Sequence, residues 1–100
     1  MYVLLPMDSA DVQEALLTKI DEVKVWAQVF IEHGKVSEIF HSSESDGFEN
    51  FSEAIVVVND KEQVGDFMEL SMTVLVANTQ RSIDDIVEAY LFRELHDFPY

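Results

Sequence analysis

Apolar and polar positions along the chain change period several times, and each change marks an element. Tyr2 to Leu5 is a short apolar run closed by Pro6, the pattern of a buried opening strand. After Asp8 and Ser9, both good N-cap residues, Val12, Leu16 and Ile20 recur at helical spacing while Asp11, Gln13 and Glu14 stay polar. That spacing predicts a helix between residues 10 and 20. From Val25 the period becomes two: Val25, Ala27, Val29 and Ile31 face one way, and Trp26, Gln28, Phe30 and Glu32 the other. His33-Gly34 then supplies a turn, and a third strand from Lys35 to His41 completes an antiparallel hairpin.

The second half reads as alternating strands and helices. Ser42 to Gly47 is polar, and Phe48 and Phe51 three residues on predict one helical turn pinned to the core. Ala54 to Val58 is a continuous, mostly β-branched run of the kind buried on both faces of a sheet. Asp60 with Gln63 is a variant capping box, and Val64, Phe67, Met68 and Ser71 share the face of a short helix. Met72 to Ala77 is a further strand, ended by Asn78-Thr79-Gln80-Arg81. Ser82 and Asp85 cap a last helix whose apolar face runs through Ile83, Ile86, Val87, Tyr90, Leu91 and Leu95. The order β-α-β-β-(α)-β-α-β-α places residues 1–100 in the α/β class as one domain.

Composition narrows the chemistry. Twenty acidic residues against six basic ones give a net charge of −14, which repels nucleic-acid phosphates and anionic membrane surfaces. No apolar run exceeds five residues, whereas a spanning helix needs about twenty. The opening residues lack the cationic start and apolar length of a secretion signal, so a cytoplasmic location is expected. Without cysteine there is no thiol nucleophile and no thiolate ligand. Glycine-rich phosphate loops, nucleophile elbows and His-Glu metalloprotease motifs are all missing, so no catalytic residue is assigned.

If the first, fourth and fifth strands run parallel, Asp8, Asp60 and Asn78 lie just past their carboxyl ends, where open α/β sheets bind ligands. Two carboxylates there would suit a hard divalent ion and, through it, phosphoryl hydrolysis. The same residues serve as N-caps and turn formers, which is the preferred reading. His33 and His41 stand about 25 Å apart at the two ends of one extended segment, too far to share an ion. His96 is placed near the end of the last helix, where a cation complements the macrodipole. No metal site is assigned. Trp26 and Phe30 are expected under a helix rather than in an interface. The acids of the last helix, Asp84, Asp85, Glu88 and Glu94, are a solvated face that also suits a basic protein partner.

Several strings resemble the dinitrogenase iron–molybdenum cofactor biosynthesis family, which includes NifX-like proteins and the C-terminal part of NifB. Leu5-Pro6-Met7-Asp8 is similar to its opening strand ending in Pro-x-Asp, and Phe30 to Val36 to its hairpin around Asp-Gly. Met72 to Val76 followed by Ser82 to Leu91 resembles its last strand and final helix. The resemblance covers nearly the whole chain. It implies a three-layer, ribonuclease-H-like fold with a five-stranded mixed sheet whose second strand is antiparallel to the others. It also implies an iron–molybdenum or iron–sulfur cluster as cargo, held through a histidine in Ser-x-His-Phe-Gly. The matching stretch here is Leu17-Thr18-Lys19-Ile20-Asp21, with Lys19 for the histidine and Asp21 for the glycine. Asn59-Asp60-Lys61 likewise replaces the glycines that follow the fourth strand in the family. The expected protein is therefore a non-enzymatic, NifX-like accessory domain without cofactor, acting through a protein partner. A divalent-ion or small-ligand domain at the Asp8/Asp60 edge, with hydrolase activity, is the first alternative, and a cluster carrier the second.

Overall fold

The computed structural model describes residues 1–99. Its sheet has six strands, β1 (Tyr2–Met7), β2 (Val25–Glu32), β3 (Lys35–Ser42), β4 (Ala54–Val57), β5 (Thr73–Val76) and β6 (His96–Asp97), in the order β3-β2-β1-β4-β5-β6. β1, β4 and β5 are parallel neighbours, β2 runs antiparallel to both β1 and β3, and β6 runs antiparallel to β5. Two helices, α1 (Gly65–Glu69) and α2 (Ile83–Leu91), complete the α/β fold. The expected five-strand count is corrected to six. β6 is a two-residue strand of exposed polar residues, His96-Asp97, and carries no alternation to betray it.

Alternation along the strands builds two cores. Val3, Leu5, Met7, Ala27, Val29, Ala54 and Val56 meet Ile83, Ile86 and Val87 of α2 on one face. Leu4, Trp26, Ile55, Val57, Val74 and Val76 meet Val64, Phe67 and Phe98 on the other. Trp26 is buried and its ring lies 5.7 Å from that of Phe67, as expected for a core position. Phe30 stacks on Tyr2 across the β1–β2 pair at 4.6 Å. The hairpin turns through His33 (φ 55°) and Gly34 (φ 76°), the positive pair a two-residue primed turn requires.

The expected helix over 10–20 does not form. Ser9 Oγ accepts the Asp11 N–H, Asp11 Oδ1 accepts from Gln13 and Glu14, and Asp8 Oδ1 accepts the Leu16 N–H. These side chains satisfy the backbone locally and compete with the helical ladder. The segment instead leaves and rejoins the end of β1, bridging Met7 to Leu17 and Leu16 to Ser82, with a single 3-10 turn at Ile20–Glu22. Val12 and Leu16 are consequently exposed.

Residues 43–53 also differ from expectation, because they cross the second face as bends and one turn, closed by the Gly47 N–H on the Glu44 carbonyl at 3.1 Å, with no helical turn at Phe48–Phe51. Gln28, 1% exposed, holds the crossing by donating Nε2 to the Asn50 carbonyl and to Ser52 Oγ, each at 2.8 Å. Phe48 packs against the core while Phe51 points outward, 59% exposed.

The helix after β4 forms later and shorter than its pattern predicts. The Asp60/Gln63 box is not used, since Asn59 Oδ1 takes the Lys61 N–H in an Asx turn and Val64 caps α1 without its side chain. Ser71 lies past its end at φ 65°. α2 begins as expected, with Ser82 Oγ accepting the Asp85 N–H at 3.1 Å. Ser82→Ala should therefore cost about 1 kcal/mol, read as a lower urea midpoint with an unchanged slope. α2 stops at Leu91: Glu94 N–H reaches the Ala89 carbonyl, Arg93 N–H reaches that of Tyr90, and Arg93 sits at φ 58°. This is a Schellman closure. It moves Leu95 off the helix and puts His96 in β6 opposite Val76, so the helix-terminal placement of His96 is corrected. No described helix is long and apolar enough to cross a membrane.

Candidate functional site

β1, β4 and β5 end side by side, and the chain past each end forms one rim. The rim is knitted by backbone bonds: Thr18 N–H to the Pro6 carbonyl at 2.9 Å, Leu17 N–H to that of Arg81 at 2.7 Å, and Ala77 N–H to that of Val57 at 2.9 Å. They enclose an open polar hollow of about 470 Å³ lined by Leu17, Thr18, Lys19, Glu22, Val58, Asn59, Asn78 and Arg81. Arg81 is held in place, Nη1 donating to the Ala77 and Gln80 carbonyls at 2.8 Å and Nη2 to that of Asn78 at 3.3 Å.

Of the three residues expected at this edge, the structure brings one to the hollow. Asn78 lines it. Asp8 stays on the rim, its carboxylate engaged by the Leu16 N–H at 2.8 Å, and Asp60 is exposed outside the lining, where Asn59 takes its place. The three side chains therefore do not share a ligand position. Among the described residues no group of three or more histidines and carboxylates is arranged to hold a metal ion. Sequence reasoning missed Lys19 and Arg81 as partners across the rim. Their separation of sixty-two positions hides them, although Lys19 directly precedes the 3-10 turn at Ile20–Glu22 and Arg81 directly precedes the Ser82 cap of α2.

The donor set does not fit a metal cluster. Such clusters want thiolate or imidazole, and the chain has no cysteine. The hollow presents the ammonium of Lys19, the guanidinium of Arg81, the amides of Asn59 and Asn78, the hydroxyl of Thr18 and the carboxylate of Glu22. His33 lies in the hairpin turn beside Glu32 at 3.3 Å, His41 pairs with Ala27 in β3, and His96 lies in β6, so none of them lines it.

A second surface lies between the hairpin tip and α2. Gly34, Lys35 and Val36 face Asp84, Val87, Glu88, Leu91 and Phe92 across a groove of about 510 Å³. Phe92 is 71% exposed, and Asp84 and Glu88 stand one turn apart along the same side of α2. In the last turn of α2, Tyr90, which does not line the groove, donates its hydroxyl to Met1 Sδ. Burial, with the Glu53 carboxylate adding to it, holds this phenol above its usual range, so it stays protonated at neutral pH and serves as a structural donor.

No family model matches the chain, and no curated protein matches it. Among solved structures it is similar to one described as the crystal structure of PH0822, with a TM-score of 0.71 and 17% sequence identity over 97% of this chain and 96% of that one.

Proposed function

We propose that this chain is a non-enzymatic accessory domain of NifX-like, ribonuclease-H-like architecture, and that it works by holding a basic segment of a protein partner between the β2–β3 hairpin and α2. The strand pattern supports the architecture: within the first five strands, β2 alone runs against the rest. One observation carries the function. Phe92, the most exposed large apolar side chain described, stands beside Leu91 in a groove edged by Asp84 and Glu88. An aromatic anchor next to acids one helical turn apart fits a segment carrying a bulky apolar residue flanked by Lys or Arg. The net charge of −14 adds long-range steering toward such a partner.

The probe is a short amphipathic helical peptide of leucine and lysine, titrated into labelled protein and followed by amide chemical shifts. Saturable shifts are expected at Val36, Val87, Leu91 and Phe92, and none with a peptide in which every lysine is glutamate. Phe92→Ala should weaken binding by about thirtyfold, equivalent to a hot-spot loss of about 2 kcal/mol. Shifts insensitive to peptide charge, or unaltered affinity in the variant, would count against the reading.

A further inference from the structure

We propose that the hollow at the carboxyl ends of β1, β4 and β5 is a binding site for a small oxyanion, a phosphate or a carboxylate, held by Lys19, Arg81, Asn59, Asn78 and Thr18. This inference is independent of the partner groove, which lies along the outer side of α2.

The first support is charge. The molecule carries acids over bases by twenty to six, yet the charged groups lining this hollow are two cations, Lys19 and Arg81, against one carboxylate, Glu22. The local balance is thus opposite to that of the whole chain. The only ion pair among the described residues is His33 with Glu32, so neither Lys19 nor Arg81 stands within ion-pair distance of a carboxylate.

The second support is preorganisation. Arg81 is fixed by three bonds to the 77–80 backbone, which use three of the five guanidinium N–H groups and leave two for a ligand. Asn59 is fixed by accepting the Lys61 N–H, which leaves its amide NH2 uncommitted. Lys19 follows the Thr18–Pro6 backbone bond, is exposed, and brings its ammonium to the lining on a long unbranched stem. A fixed fork on one side and a flexible point charge on the other make a clamp for a group of two or three oxygens. The third support is position, since the hollow sits where parallel strands of an open sheet end together. A divalent cation is disfavoured by the same two positive charges.

Amide-shift titrations of the intact protein with inorganic phosphate, with citrate, with magnesium chloride and with sodium chloride at matched ionic strength test this. Saturable shifts confined to Thr18, Lys19, Asn59, Asn78 and Arg81 are expected with phosphate, citrate or both, and which of the two binds tighter assigns the ligand to phosphoryl or carboxylate chemistry. Lys19→Gln and Asn78→Ala, both at exposed positions, should each weaken the response by about fivefold or more while leaving the urea midpoint unchanged. The site is overturned if sodium chloride reproduces the shifts, if magnesium binds there and the anions do not, if no saturation occurs in the millimolar range, or if both variants bind as the parent does.

Discussion

Ile55→Ala is expected to lower stability by about 2–5 kcal/mol, the range for emptying a fully enclosed aliphatic site. Ile55 lies in β4, between β1 and β5, with its backbone registered to Leu4 and Val74. Its side chain is completely buried in the second core, among Leu4, Val57, Phe67 and Val74. Both neighbouring strands are fixed by ladder bonds, so the wall around the missing atoms has little room to collapse. For a chain of this length the loss corresponds to a fall in Tm of at least about 8 °C. Phe51→Ala removes a larger side chain but from a site 59% exposed, and should change the Tm by far less. Thermal melts of the two variants side by side check both halves of the statement.

Gln28→Glu should be comparably severe at neutral pH, about 3–5 kcal/mol, because it places an unpaired charge in the interior. The native amide donates to the Asn50 carbonyl and to Ser52 Oγ from a side chain 1% exposed. A carboxylate there has no proton to give and faces the Asn50 carbonyl oxygen. Its folded pKa must therefore rise above the ordinary glutamate value of about 4.3. The sign follows from linkage: the charge penalty is absent below the unfolded pKa, where both states are protonated, and grows as pH rises toward the folded one. Relative to the parent, the variant should gain stability on acidification. Urea midpoints of both proteins across the acidic range measure this, and a pH-independent difference would show that the 43–53 crossing is not pinned through Gln28.

These two positions also show what the sequence made legible. Ile55 belongs to an unbroken apolar run, and burial on both faces of a central strand is what such a run means. The hairpin was equally plain, since His33-Gly34 sits between two alternating segments, and so was the Ser82 cap before the most periodic helix. Gln28 shares its strand face with Trp26 and Phe30, and nothing in the strand's alternation names the Asn50 carbonyl and Ser52 hydroxyl that its amide meets where residues 43–53 cross over it. The period-four spacing of Val12, Leu16 and Ile20 was overruled by Asp8, Ser9 and Asp11, whose short side chains took the backbone donors first. β6 is too short and too polar to announce itself, and Arg93 ends α2 in a conformation that usually signals glycine.

The candidate sites divide the same way. The apolar runs make three strands legible whose ends, if parallel, carry Asp8, Asp60 and Asn78, and β1, β4 and β5 are parallel with Asn78 in the hollow past their ends. The sign of that edge was not, because it depends on Lys19 and Arg81 meeting through the Leu17–Arg81 and Leu16–Ser82 bridges, contacts between segments far apart in the chain. The acidic row of α2 was visible in the sequence, whereas the groove beside Phe92 arises only once the hairpin tip is brought against it.

The proposed partner surface is tested most directly by installing a photo-reactive benzoyl side chain at position 92, and separately at position 51 as a control at another exposed phenylalanine, and irradiating in the native cells. A single dominant adduct at position 92, mapped to a Lys- or Arg-rich segment of another protein and absent at position 51, is the expected outcome. Equal labelling at both positions, or an adduct formed only at position 51, would contradict the assignment of the hairpin–α2 groove as the working surface.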